Sequence, residues 1–180
     1  MIARLGGGCS VCAVRGGRSV DTTMGFTPLE GLVMSHRSGG VDPGALTWLQ
    51  TRHRLSAQDI EDALNRDSGL LALSGTSDDT RDLVRSRAAG DARAALALAV
   101  FTHHCRRGVA AMTASLDRLD GLVFTGHIGE DQPEVREEVC VRLTVLGLAG
   151  GLRTHAAARP EIISRPGARV PVMVVPTGEE

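Results

Sequence analysis

Apolar and polar positions change rhythm several times along the chain, and each change marks an element. Ile2 to Leu5 is a short apolar run closed by Gly6-Gly7-Gly8. Cys9 to Val14 is a second β-prone run, and Gly16-Gly17 turns it into Ser19 to Thr22. Short β-prone runs joined by glycine turns predict an antiparallel meander. From Asp42-Pro43 the period lengthens to that of a helix, with Asp42 as cap, Pro43 at the first position, and Leu46 and Leu49 continuing an apolar face. Ser56 and Asp59 form a capping-box pattern for a helix over Ala57 to Asn65, with Ile60 and Leu64 inward. The longest helical pattern runs from about Asp91 to Leu119, where Ala95, Leu98, Ala99, Thr102, Cys105, Val109 and Met112 fall at helical spacing.

Beyond it, Gly121 to Thr125 reads as a short buried strand entering the turn Gly126-His127-Ile128-Gly129. Pro133 to Leu146 follows as an amphipathic helix with Val135, Val139 and Leu143 on one stripe. Two more β-prone runs, Glu161 to Ile163 and Val170 to Val175, precede Pro176-Thr177-Gly178-Glu179-Glu180. Both ends fall at or beside strands, so truncation at each end is the expectation. With no repeat and no low-complexity linker, 1–180 reads as one α/β domain.

Composition narrows the chemistry. An apolar fraction of 42% and a formal charge of −1 fit a globular chain rather than a disordered or dedicated nucleic-acid-binding one. Every Lys-or-Arg position is arginine, which excludes a Schiff-base lysine and a Walker-type phosphate lysine. Tyrosine is absent and only three Phe and one Trp occur, so the core must be aliphatic. Four cysteines make no disulfide framework at this length, and no apolar run approaches the roughly 18 residues of a membrane span. A reducing cytoplasm is the expected setting.

Three glycine turns follow β-prone runs. Backbone N–H groups can converge on an anion there because no side chain intervenes, although each turn alone is also an ordinary hairpin turn. The Gly126–Gly129 turn differs in lying between a buried strand and a helix, a common seat for phosphates and nucleosides. Cys9 and Cys12 match C-x-x-C, but in a strand they face opposite sides and cannot share a metal. His103 and His104 are neighbours on a helix, one expected at the surface and one half-buried. Arg37, in the loop Ser35-His36-Arg37-Ser38-Gly39, suits bidentate contact with a phosphate or carboxylate, or a surface ion pair. Ser77 to Asp82 can be a plain helix cap with dipole-matched acids.

Taken together, these segments resemble the acetate kinase family. GGRSVDTTMGFTPLEGLVMSHRSGGVDPG (Gly16 to Gly44) is similar to that family's signature stretch, and DGLVFTGHIGEDQPEVREEVC (Asp120 to Cys140) to its adenosine-binding strand-turn-helix. LSGTSDDTRDL (Leu73 to Leu83) and VMVVPTGEE (Val172 to Glu180) match in the same order. The resemblance covers essentially the whole chain, as the C-terminal, nucleotide-binding half of such a kinase. It implies an incomplete RNase H-like domain of the actin-like ATPase superfamily, which includes sugar kinases and actin. It also implies reversible phosphoryl transfer from ATP to acetate, giving acetyl phosphate and ADP, with Mg2+.

By position, the resemblance assigns Arg37 to the transferring phosphoryl group. Arg4, Leu5, Gly6, Gly7 and Gly8 take the phosphate loop, while Asp79, Thr80, Arg81, His127, Ile128, Gly129, Glu130 and Asp131 line the nucleotide. Glu179 or Glu180 goes to the metal. The chain departs from the family pattern at Arg4, Gly7, His127, Asp131 and Gly178. The family's first domain, with its acetate pocket and further catalytic residues, has no counterpart here. The isolated chain is therefore expected to be inactive. The alternatives are a nucleotide-binding half that needs a separate N-terminal half, and a non-functional remnant. A homodimer is a further expected partner state; no nucleic acid or membrane is expected.

Overall fold

The computed structural model describes residues 1–154 and 159–178. The first three runs form β1 (Ile2–Leu5), β2 (Cys9–Arg15) and β3 (Arg18–Thr22), each antiparallel to the next, as the glycine turns predict. β4 (Leu122–Thr125) lies parallel to β1, and β6 (Val172–Val174) lies parallel to β4. β5 (Glu161–Ile162) closes the far edge antiparallel to β6, giving the order β3-β2-β1-β4-β6-β5. Alternation puts Leu5, Val11, Leu122, Phe124, Val172 and Val174 on one buried face. Ser10, Cys12, Val123 and Thr125 are half-buried on the other.

The helices are α1 (Pro43–His53), α2 (Ala57–Arg66), α3 (Gly69–Ser74), α4 (Thr80–Ala88), α5 (Ala92–Met112), α6 (Gly126–Asp131) and α7 (Pro133–Cys140). α5 covers the buried face of the sheet, sinking Leu98, Phe101, Cys105 and Val109. Each large apolar side chain buried there contributes roughly 1.5–3 kcal/mol. Both local caps form as expected. Asp42 accepts from Gly44 N, and Ser56 and Asp59 exchange both bonds of the capping box.

Several expectations need correction. α5 stops at Met112, seven residues short of Leu119, and continues only as a single 3-10 turn over Thr113–Ser115. There Thr113 Oγ1 turns back to Ala110 O, and Ser115 Oγ bonds Asp21 at β3, so tertiary contact overrides the helical pattern. On its stripe Leu98, Thr102, Cys105, Val109 and Met112 are buried as predicted, but Ala94 and Ala97 are buried in place of half-buried Ala95 and exposed Ala99. α7 likewise ends at Cys140, though Val135, Val139 and Leu143 are buried as predicted. α1 buries no residue, so its Leu46–Leu49 face stays half-exposed. The turn at 126–129 is in fact the opening of α6, and α3 was not anticipated. Strands predicted at 161–163 and 170–175 shorten to β5 and β6.

Cys9 and Cys12 face opposite sides of β2 as predicted, and all four cysteines are free. Burial pushes the Cys9 and Cys140 thiols up to about 12 and raises Cys105 as well. Thiolates are the reactive form. Alkylation of the native chain at pH 8 should therefore modify half-buried Cys12 first, with the other three reacting only after unfolding. Peptide mass mapping reads this directly, and equal labelling of all four would contradict the packing. No helix among the described residues is long and apolar enough to cross a membrane.

Candidate functional site

Parallel pairing of β1 with β4 sets the site. Arg4 lies opposite Thr125, so both strands end at the same edge of the sheet and release their glycine turns side by side. Gly6-Gly7-Gly8 and Gly126 thus become neighbours, whereas Gly16-Gly17 sits at the opposite end of β2 and takes no part. Gly126 adopts φ 77°, a left-handed conformation that glycine reaches without strain. The exposed His127 ring lies over buried Gly6, its Nδ1 3.2 Å from where a Cβ on Gly6 would stand.

α4 supplies a third edge. Asp79 caps it by accepting from Arg81 N, and the Arg81 guanidinium returns to the same carboxylate at 2.6 Å. Those bonds with Arg81 hold the Asp79 carboxyl below the usual range, with His127 adding a smaller pull. Asp131 acts in turn on Arg81. Asp79, Arg81, His127 and Asp131 therefore share one rim, on which Arg81 is paired with Asp79.

Arg37 approaches from the loop between β3 and α1. That loop is clamped by backbone bonds: Leu70 N donates to Met34 O at 2.9 Å, Leu71 N to Ser35 O at 3.0 Å, Ser68 N to His36 O at 3.0 Å, and Ser38 N to Leu64 O at 2.9 Å. The approach is so close that a Cβ on Gly69 would stand 2.3 Å from Met34 O. Arg37 Nη1 sits 3.8 Å from the Cβ position of Gly8, and its other contact is Met34 Sδ at 3.9 Å. Among the described residues no carboxylate pairs with this half-buried guanidinium. Next to it, His36 Nε2 meets Asp78 Oδ2 at 3.0 Å.

The wall behind Gly126 is braced by two side chains. Glu130 Oε1 accepts from Gly126 N at 2.9 Å, Thr177 N at 3.0 Å and Thr177 Oγ1 at 3.3 Å, tying the segment after β6 to the start of α6. Arg136, buried to 1% exposure, donates from Nη1 to Gly129 O at 2.9 Å and Glu130 O at 2.6 Å. It satisfies carbonyls that a six-residue helix leaves open at its C-terminal end.

The structure thus gathers Gly6, Gly7, Gly8, Arg37, Asp79, Arg81, His127, Glu130 and Asp131 around one edge. Leu5, Thr80 and Ile128 belong to the same segments, but their side chains are core, at 0%, 2% and 2% exposure, so only their backbone faces the edge. Arg4 is half-buried on β1. Glu179 and Glu180 lie outside the described residues. Sequence reasoning passed over Arg136 and the His36–Asp78 pair. No local pattern marks an arginine that turns inward, and His36 and Asp78 are brought together only by the fold.

Parallel strands thus deliver glycine turns beside an arginine that no described carboxylate neutralises, the donor pattern that anions favour. The Acetokinase family model matches residues 1–180. The chain is 46% identical over 183 residues to a propionate kinase of Klebsiella pneumoniae, covering 100% of this chain and 46% of that protein. It is 49% identical over 181 residues to an acetate kinase of Deinococcus radiodurans, covering 99% and 45%. A crystal structure of a propionate kinase from Francisella tularensis superposes with TM-score 0.89 at 37% identity, over 99% of this chain and 46% of that one. The fold is accordingly that of the actin-like ATPases. This chain belongs to the acetokinase family, and it spans under half the length of the relatives it matches.

Proposed function

We propose that this chain is the nucleotide-side, RNase H-like domain of an acyl-phosphate kinase, 1–180 forming one unit. In the proposed reaction a carboxylate oxygen of acetate or propionate attacks the γ-phosphorus of ATP, and the bond to the β–γ bridging oxygen breaks to release ADP. The observation that carries this reading is Arg37, held by the α2–α3 backbone with its guanidinium beside Gly8 and no carboxylate among the described residues to neutralise it. Such a charge is placed for a transferring phosphoryl group, since this chemistry depends on positioning and charge neutralisation. Gly6 to Gly8, Asp79, Arg81 and the Gly126–Asp131 wall are the groups we assign to the nucleotide.

Three described carboxylates of this edge are already engaged: Asp78 by His36, Asp79 by Arg81, and Glu130 by Gly126 and Thr177. Among the described residues no three His, Cys, Asp or Glu form a metal cluster. That donor set fits a Mg2+ that arrives on nucleotide phosphates and keeps several waters, as this ion does. Glu179 and Glu180 are the carboxylates we assign to it. The free thiols support a reducing, cytoplasmic setting.

Calorimetry with Mg-ATP on the purified chain is the test. Saturable binding is expected, weakened about tenfold by Arg37→Gln, a loss in the range of one charge-assisted contact. No acetyl phosphate should form until the complementary half of a relative is added. A second reading, a chain that keeps the fold and has lost the ligand, is favoured by the His127 ring over Gly6 and by the negative charge of Asp131 on the same rim. Absence of any saturable heat would decide for it.

A further inference from the structure

A cavity of about 350 Å³ opens beside Arg37 and is lined by Gly7, His36, Arg37, Asn65 and Arg66. No described carboxylate contributes to its lining, and two of the five residues are arginines, one from the loop before α1 and one from α2. Arg66 stands on the last turn of α2, and its Nη1 is held by Asp62 at 3.0 Å, one helical turn back. That pairing orients the guanidinium while engaging one end of its donor fork. Asn65 spends its Nδ2 on Glu61 O at 2.9 Å, which fixes the amide at the cavity wall. His36 is steadied by Asp78 in the same way.

The walls are also joined to one another. Ser38 N donates to Leu64 O, and Ser68 N to His36 O, so the Arg37 loop and the end of α2 form one hydrogen-bonded unit. Two arginines from separate segments thereby border one small open space, with Gly7 also in its lining. An arginine fork of this kind matches the planar or tetrahedral oxygens of a small oxyanion. Groups held in place before binding lose less entropy when they bind.

We propose that Arg66, with Asn65, completes a second anion-binding wall opposite Arg37, and that the cavity takes one small oxyanion, a phosphoryl group or a carboxylate. The assignment rests on Arg37 being an anion contact, as in the function proposed above, but not on nucleotide binding. Arg66 becomes a specificity residue of the phosphoryl-acceptor side, holding the anion that Arg37 alone would share with solvent.

The test is calorimetry or NMR titration of the full chain at constant ionic strength, once with inorganic phosphate and once with sodium acetate. Arg66→Gln should weaken binding of the preferred anion about fivefold, with Arg66→Lys in between, since lysine keeps charge and loses the fork. Arg52→Gln, an equal charge change on exposed α1, should leave binding unchanged and so exposes any general field effect. Arg66 is largely exposed, so its replacement leaves folding intact, which a thermal melt verifies. Binding of phosphate alone identifies a phosphoryl seat, and competition by acetate identifies a carboxylate seat; either supports the proposal. Equal effects of Arg66→Gln and Arg52→Gln, or no binding of either anion, would overturn it. Loss of Mg-ATP binding with phosphate binding retained would instead count against the proposed function alone.

Discussion

Alanine at Gly126 is expected to destabilise the chain by about 3 kcal/mol and to abolish ligand binding at the β1–β4 edge. Two costs add. The φ of 77° is left-handed, which costs a non-glycine residue roughly 1–2 kcal/mol. The new Cβ would also stand 2.5 Å from Leu5 O, a backbone atom at the end of β1 that pairing with Cys9 holds in place. Either β1 or the start of α6 must move, and the Gly126 N to Glu130 bond moves with it. For a chain of this size the loss corresponds to a fall in melting temperature of about 6–12 °C. Urea unfolding read by circular dichroism gives the free energy. A variant within about 0.5 kcal/mol of the parent would show that the turn relaxes freely.

Arg136 carries the second large effect. Its replacement by alanine should cost about 3–4 kcal/mol, because the Gly129 and Glu130 carbonyls lose their donor and a fully buried side-chain volume empties. Burial lowers the pKa of this guanidinium, while Asp131 and Glu134 counter the shift. Arginine nonetheless remains charged at any working pH. Its Nε and Nη2 are buried without a partner among the described residues, so part of the side chain is already a liability. Methionine, which keeps much of the volume and sheds those donors, should therefore cost only about half as much as alanine. If the two variants prove equally unstable, the carbonyl bonds dominate and the unpaired donors matter little.

How far the sequence revealed this molecule depended on how local each cause is. The Asp42-Pro43 start and the Ser56–Asp59 capping box were legible because every interacting atom lies within four residues. The opposite faces of Cys9 and Cys12 followed from strand alternation alone. The ends of α5 and α7 did not, since Ser115 answers to Asp21 across 94 positions and nothing in the helix itself says stop. α1 misled for a related reason: its apolar spacing was real, but no described element packs against it closely enough to bury a residue. At the candidate site, the glycine turns and Arg37 could be read from residue type and resemblance. The bracing groups could not. Glu130, expected at the nucleotide, spends one oxygen on Gly126 and Thr177, and Arg136 gave no sign that it would cap α6 from inside.

The Glu130 junction also orders events in time. Its bond to Gly126 spans four residues and can form as soon as α6 exists, whereas its bonds to Thr177 span 47. β6, which flanks β4 in the finished sheet, is likewise made late. During synthesis the segment carrying Gly126 to Asp131 must wait, with one side of β4 open, until residue 177 has cleared the ribosome. The β1–β4 edge is therefore completed only once Thr177 is available, although most of its residues are translated well before.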